Sequence, residues 1–224
     1  MELSQTLNLI RQKIAAAQAR GNRTESVTVV AASKTVPAER LQGLSECGIF
    51  ICGENRVQEL VEKFGRVDTT WHMIGRLQTN KVKYLMDKAA MIQSLDRLSL
   101  AGEIERQCRK TGRTMEVLIE VNPAGEAQKG GIAPDELPAF LDRMGDFPSL
   151  RLRGLMAMTP NVANVENNRH YYLQMREIYD KIREQDRFPG FSILSMGMSS
   201  DYELAVECGS NMVRLGRALF GART

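Results

Sequence analysis

The chain predicts a single-domain α/β fold, a closed (β/α)8 barrel of the TIM type with one extra helix at its N-terminus. Three observations carry this expectation. Strand-like and helix-like signals alternate along the whole length, about eight times over. The strand-like runs are short and apolar without polar alternation, as in Val29, Val30, Ala31 and Ala32, which marks strands covered on both faces. A length of 224 residues, with no internal repeat, low-complexity segment or linker, suits one closed barrel better than an open doubly wound sheet.

Each element follows in order. Leu3, Leu7, Ile10, Ile14 and Ala17 recur at helical spacing, and Gly21 with Asn22 ends that opening helix. The stretch 27–35 is the first strand, ending at Lys34. Pro37 suits a first helical turn, so a short helix is expected over 38–46. Residues 49–52 form the second run, leading into Gly53, Glu54 and Asn55, with Val57, Leu60, Val61 and Phe64 on the next helix face. Residues 71–74 form the third, ending in Gly75 and Arg76, and 77–88 reads as a helix. Residues 91–93 form the fourth, and Ser94 and Asp96 supply capping side chains for the helix bearing Leu98, Ala101, Ile104 and Cys108. The fifth run, 115–121, is followed by a long loop to Gly131 and a helix marked by Leu137, Phe140, Leu141 and Met144. The sixth, 152–156, precedes a long helix with Tyr172, Met175, Tyr179 and Ile182 on one face. The seventh, 191–194, enters a Ser- and Gly-bearing loop over 195–200. The eighth, 211–215, runs into Gly216, Arg217 and a short apolar end.

Composition excludes several functions. A net charge of +3 with no basic run gives no footprint for nucleic acid. No apolar run approaches a membrane span, and the first residues lack the pattern of a signal peptide. The four cysteines match no metal or redox spacing and read as reduced thiols of a cytoplasmic protein. Only two histidines, His72 and His170, are present, which argues against histidine-rich metal sites and Ser-His-Asp triads. His72 reads as a packed strand residue, and Tyr171 and Tyr172 as helix-face residues.

A barrel of this kind places its site at the C-terminal strand ends. Those positions hold Lys34, Asn55, Gly75, Arg76, Asn122, Met156, Ser195, Ser199, Ser200, Arg214 and Gly216. They are poor in carboxylates: Glu54 is the main one and suits a helix N-terminus, and no acid–base pair for sugar chemistry is visible. A lysine at a strand exit either snorkels to water or serves as a reactive amine. Ser195, Ser199 and Ser200 with Gly197 and Gly216 fit a phosphate-holding rim after strands seven and eight, while Ser200 to Glu203 also has the form of a capping box. Arg214 keeps its proton and needs an acceptor, either a structural carboxylate or a ligand atom.

Taken together and in order, these residues resemble a known family. Its signals here are Ala32-Ser33-Lys34-Thr35, Gly53-Glu54-Asn55, Trp71-His72-Met73-Ile74-Gly75-Arg76, Ser94-Leu95-Asp96-Arg97, Lys129-Gly130-Gly131, Arg153-Gly154-Leu155-Met156, Ser195-Met196-Gly197-Met198-Ser199 and Arg214-Leu215-Gly216. The chain resembles the pyridoxal 5′-phosphate (PLP) homeostasis proteins over nearly its whole length. The resemblance implies a barrel like the alanine racemase N-terminal domain, the type III fold of PLP proteins. It implies PLP as cofactor, carried on Lys34 as an internal aldimine. Arg214 is implied near the pyridine nitrogen, Ser199, Ser200, Gly216 and Arg217 near the phosphate, and Asn55 and Met156 in the pocket lining. Arg217 stands where many members have a small hydroxyl residue, so only its backbone amide is carried over.

A lysine condenses with an aldehyde only as the neutral amine, which burial and a nearby cation favour. An arginine at the pyridine nitrogen makes PLP a poor electron sink. Racemases of this fold take a second acid–base group, a tyrosine, from a further β-domain, and this chain stops at Thr224. The expectation is therefore a monomeric protein of vitamin B6 homeostasis that holds PLP and passes it on, apo PLP-dependent enzymes being the partners, with little or no turnover. Two alternatives stand beside it: a weak amino-acid racemase, and a phosphate-binding barrel enzyme that condenses Lys34 with a sugar aldehyde.

Overall fold

The computed structural model describes residues 3–126 and 128–221. Eight parallel strands close into a barrel in chain order: β1 (Thr28–Ala32), β2 (Ile51–Glu54), β3 (Thr70–Met73), β4 (Ala89–Leu95), β5 (Met115–Val121), β6 (Leu150–Ala157), β7 (Ile193–Met198) and β8 (Met212–Leu215). β8 closes on β1 with Val30 beside Arg214 and Ala31 beside Leu215. The expected barrel is therefore the observed one, and it has the extra N-terminal helix.

That helix, α1 (Leu3–Arg20), buries Leu7, Ile10, Ile14 and Ala17. Full burial of each Leu or Ile is worth about 2 kcal/mol. α1 packs on α6 (Tyr202–Glu207), where Lys13 pairs with Glu203 at 2.9 Å and Arg20 with Glu207 at 2.8 Å. The other helices are α2 (Val57–Lys63), α3 (Leu98–Thr111), α4 (Leu137–Arg143), α5 (Arg169–Glu184) and α7 (Arg217–Phe220). Leucine, isoleucine and aromatic side chains fill the layer between strands and helices. Inside the barrel, Met91, Leu118 and Met156 form a small separate plug.

Two expected helices are shorter and tighter than their patterns implied. After β1 only a 3-10 turn, Ala38–Arg40, forms, and Gly43 at φ 81° keeps the following residues in turns. Before β4 the chain makes a 3-10 helix, Thr79–Tyr84, with Val82 and Leu85 buried three residues apart, the 3-10 period. The stretch 195–198, expected as loop, belongs to β7. Gly197 is needed there because a Cβ would sit 2.6 Å from that of Ala205, so the glycine lets α6 lie against the strand. The capping residues expected before α3 do other work: the N-cap position is Arg97, and Ser94, inside β4, donates instead to the Gly75 carbonyl at 2.7 Å.

Candidate functional site

The exit of β1 is held from both sides of Lys34. Ser33 donates to Glu54 Oε1 at 2.7 Å, and Lys63 Nζ donates to the same oxygen at 2.6 Å and to the Ser33 carbonyl at 2.9 Å. On the other side Glu59 Oε2 accepts from the Thr35 amide at 2.8 Å. Thr35 is left-handed at φ 64°, a conformation a β-branched residue adopts only under constraint. Residues of β2 and α2 thus clamp the backbone immediately before and after Lys34, which is half-buried in the turn. Glu54, expected as a dipole partner at a helix N-terminus, is fully buried in this clamp. Burial pushes its carboxyl up, while Lys63 and Ser33 pull it down.

Across the β8–β1 seam lies the rim that glycine makes possible. Ala32 neighbours Gly216, whose missing Cβ would stand 3.2 Å from the Ala32 carbonyl oxygen. The amides of Gly216 and Ala218 both donate to Ser199 Oγ, each at 3.1 Å. Two N–H groups therefore converge on a single oxygen position beside the lysine-bearing strand. Ser200 and Arg217 are exposed at this rim. The capping box does not form. The N-cap of α6 is Asp201, whose Oδ1 accepts from the Met198 amide and whose Oδ2 accepts from Tyr172, and Glu203 is drawn to Lys13. Tyr172 is thereby a buried packing residue whose hydroxyl is committed.

Arg214 points into the barrel with 5% of its surface exposed. A structural carboxylate, one of the two acceptors expected for it, is not what holds it in the barrel. Among the described residues no carboxylate pairs with it. Its Nη1 donates to the Ser195 carbonyl at 2.8 Å and to Ser195 Oγ at 2.7 Å, and its Nη2 to the Ala157 carbonyl at 2.9 Å. Three of the five N–H bonds of a guanidinium are thereby spent on neutral acceptors. Burial pulls its pKa down, and Glu120, Tyr172 and Asp201 oppose that. Ser195 lies wholly buried beneath the rim, supporting Arg214 rather than joining Ser199. Met156 is likewise in the barrel plug, with Glu120 and Ser195 as its strand neighbours, and the half-buried Met158 stands nearer the mouth. Asn55 occupies the β2 exit, where its backbone would meet any Cβ on Gly75.

The structure adds a carboxylate pair where none was expected. Glu120 of β5 is 2% exposed, and Asp96 follows β4. An added Cβ on Gly130 would be 3.5 Å from an oxygen of each, so the loop after β5 passes directly over both. Asp96 is paired with Arg97 and, at 3.9 Å, with Arg76. Burial first, then Asp96, pushes Glu120 up to about 7 against the pull of Arg214 and Arg76. The signal was present in β5: Leu118, Glu120 and Asn122 share one parity, but a polar residue in alternation reads as solvent-facing until the barrel is closed.

Residues 6–224 match the family model described as alanine racemase, N-terminal domain. The chain is 41% identical to the pyridoxal phosphate homeostasis protein of Aquifex aeolicus, covering 100% of this chain and 99% of that one. It is 35% identical to the protein of that name in Haemophilus influenzae, covering 100% and 97%. The solved structure of PipY from Synechococcus elongatus with PLP bound superposes with a TM-score of 0.84 at 29% identity, covering 98% of this chain and 100% of that one. An alanine racemase of Clostridium difficile shares the fold, with a TM-score of 0.74 at 14% identity, and this chain spans 57% of its length.

Proposed function

Because this chain belongs to the alanine racemase N-terminal domain family and, within it, to the pyridoxal phosphate homeostasis proteins, we propose that it binds pyridoxal 5′-phosphate at the mouth of its barrel, holds it on Lys34 and releases it to acceptors. The observation that carries this reading is the pairing across the β8–β1 seam. A clamped lysine ends one strand, and two amides converge on one oxygen position at the start of the next turn.

The residues fit such a ligand. When bound, PLP supplies an aldehyde that condenses with a primary amine and a phosphate that accepts hydrogen bonds. Lys34 offers the amine. The Gly216 and Ala218 amides, which here share Ser199 Oγ, can turn to a phosphate oxygen in its place, Ser199 and Ser200 offer hydroxyls, and the exposed Arg217 adds a charge beside them. Arg214 holds two uncommitted N–H bonds for a ring acceptor and no proton to give up, so it keeps such a nitrogen unprotonated. Asn55 flanks the mouth, and Met156 forms the apolar floor beneath it. This donor set favours retention over carbanion chemistry, and the protein acts as a one-domain carrier of PLP in the cytoplasm, working as a monomer and supplying apo enzymes. Among the described residues no helix is long and apolar enough to cross a membrane, and no cluster is suited to a metal.

The test is borohydride reduction of the PLP-loaded protein followed by peptide mass spectrometry. The peptide containing Lys34 gains the reduced pyridoxyl phosphate group, and Lys34→Ala loses it. An unmodified Lys34 with the group elsewhere or absent overturns the reading. Conversion of one amino-acid enantiomer into the other by the purified protein, abolished in Lys34→Ala, overturns the carrier role in favour of catalysis.

A further inference from the structure

The barrel interior holds a hydrogen-bond chain that runs from one wall to the other. It begins at Arg214 on β8, which donates to Ser195 Oγ on β7. Ser195 donates to Gln93 Oε1 on β4 at 2.8 Å. Gln93 Nε2 meets His72 Nδ1 on β3 at 2.9 Å and the Met212 sulfur at 3.3 Å. Gln93 and Ser195 are 0% exposed and His72 is 4% exposed. An arginine can only donate, so the chain has a head and a direction. With Ser195 Oγ accepting from Arg214, its own proton goes to Gln93 Oε1. The Gln93 amide then turns its two N–H bonds toward His72 Nδ1 and the Met212 thioether, both acceptors. His72 Nδ1 must be bare, which places the ring proton on Nε2. The reverse orientation of Gln93 would set its carbonyl oxygen against the sulfur. Burial keeps His72 neutral down to about pH 4, in agreement with that order.

We propose that Gln93 is a positioning residue for Arg214: acting through the Ser195 hydroxyl, and held in turn by His72, it sets which guanidinium N–H bonds remain for the ring nitrogen of the bound cofactor. The inference rests on the PLP reading for its purpose, but the geometry it describes belongs to the protein alone. The carbonyls of Ser195 and Ala157 fix two corners of the guanidinium plane. The hydroxyl of Ser195 is the one partner that can rotate away, and Gln93 is what stops it. Without Gln93 the hydroxyl proton has no acceptor in the chain, and the Arg214–Ser195 bond loses its orientation.

Three variants separate this role from packing. Gln93→Leu conserves volume and removes the chain; Gln93→Glu keeps the acceptor for Ser195; Ser195→Ala removes the hydroxyl and leaves the carbonyl. The first measurement is hydrogen exchange of the Arg214 guanidinium N–H groups by 15N NMR in protein without cofactor. Gln93→Leu and Ser195→Ala speed exchange about tenfold, the scale of one lost bond to a charged group, while Gln93→Glu, which keeps the Ser195 acceptor and meets His72 once the ring proton moves to Nδ1, stays near wild type. The second is the absorption spectrum of PLP-loaded protein across pH, which changes its ring-nitrogen titration in the same two variants. A folded Gln93→Leu with wild-type Arg214 exchange overturns the proposal, as does damage confined to Gln93→Glu. If Gln93→Leu fails to fold, Gln93→Met, which also removes the acceptor for the Ser195 hydroxyl at similar volume, takes its place and is judged by the same two outcomes. Failure of the Lys34 labelling experiment removes the cofactor reading and leaves the NMR measurement standing, so the two can fail separately.

Discussion

The barrel buries charge in two places, and it does so in opposite ways. On the outer face of β1 and β2, Glu54 meets Lys63 as an ion pair at 2.6 Å. Inside the barrel, Arg214 meets carbonyls and a hydroxyl. The first arrangement spends its charge on itself: Lys63 uses both a carboxylate and a carbonyl, Ser33 closes the group, and one oxygen of Glu54 is left with no partner among the described residues. The second leaves part of the cation uncommitted. An ion pair cancels the charge of both members and closes a structure; neutral acceptors orient a cation without cancelling it. The clamp therefore fits a role in fixing where Lys34 leaves the strand, and the arginine fits a role toward a ligand.

The largest expected effect comes from breaking the pair. Lys63→Met strands a buried carboxylate and costs about 3–5 kcal/mol in denaturant unfolding. Arg214→Met leaves only neutral acceptors unpaired and costs about 1–3 kcal/mol, while PLP affinity falls. Equal losses in the two variants would erase the distinction. Removing both charges with Glu54→Gln and Lys63→Met together recovers most of the stability lost in Lys63→Met, since no unpaired charge remains.

A middle-sized effect divides the polar groups of the interior by pH. His72 has its pKa lowered by burial from 6.5 to about 4. The unfolded chain binds a proton in that window which the folded one refuses, so stability falls as pH drops from about 6.5 through about 4, by up to about 3 kcal/mol. Glu120 is raised from 4.5 to about 7, so the folded chain holds a proton that the unfolded one loses. Its contribution is present below pH 4.5 and is lost as pH rises through about 7. Thermal unfolding of His72→Gln and Glu120→Gln across pH 4–8 reads the two slopes. The first variant flattens the acid side and the second the neutral side; the opposite assignment would refute the burial argument.

The smallest effect is the control. Lys13 and Glu203 form an ion pair at 2.9 Å, only 0.3 Å longer than the buried Lys63–Glu54 pair at 2.6 Å, yet both are substantially exposed. Lys13→Ala changes stability by less than about 1 kcal/mol, and less still at high salt. A larger loss would mean that distance, and not burial, governs charge pairing in this protein.

The strand count, the N-terminal helix, Lys34 at the first strand exit and Gly216 at the last were all legible, because each has a local mark: a β-branched run, a 3.6-residue period, a charge ending an apolar stretch, a glycine after one. The roles of neighbouring polar residues were not. Ser195 reads like Ser199 and Ser200, yet it is turned into the barrel beneath Arg214. Glu54 reads as a helix-dipole partner, yet it is bound to Lys63, nine positions on. Ser200 and Glu203 have capping-box spacing, but Asp201 and Lys13 offered stronger partners. Glu120 and Gln93 carried only the alternation of their strands, which shows that a residue faces one side and not what that side becomes.

What this sequence determined by itself was the order of strands and helices and the placing of its lysine, arginine and glycines at strand ends, since those depend on residues adjacent along the chain. Closure of the barrel decided the rest. It brought β3 and β4 across from β7 and β8, and so made His72, Gln93, Ser195 and Arg214 one bonded chain from residues as far as 142 positions apart. A hydrogen bond reaches about 3 Å, and only the tertiary fold decides which groups come within it.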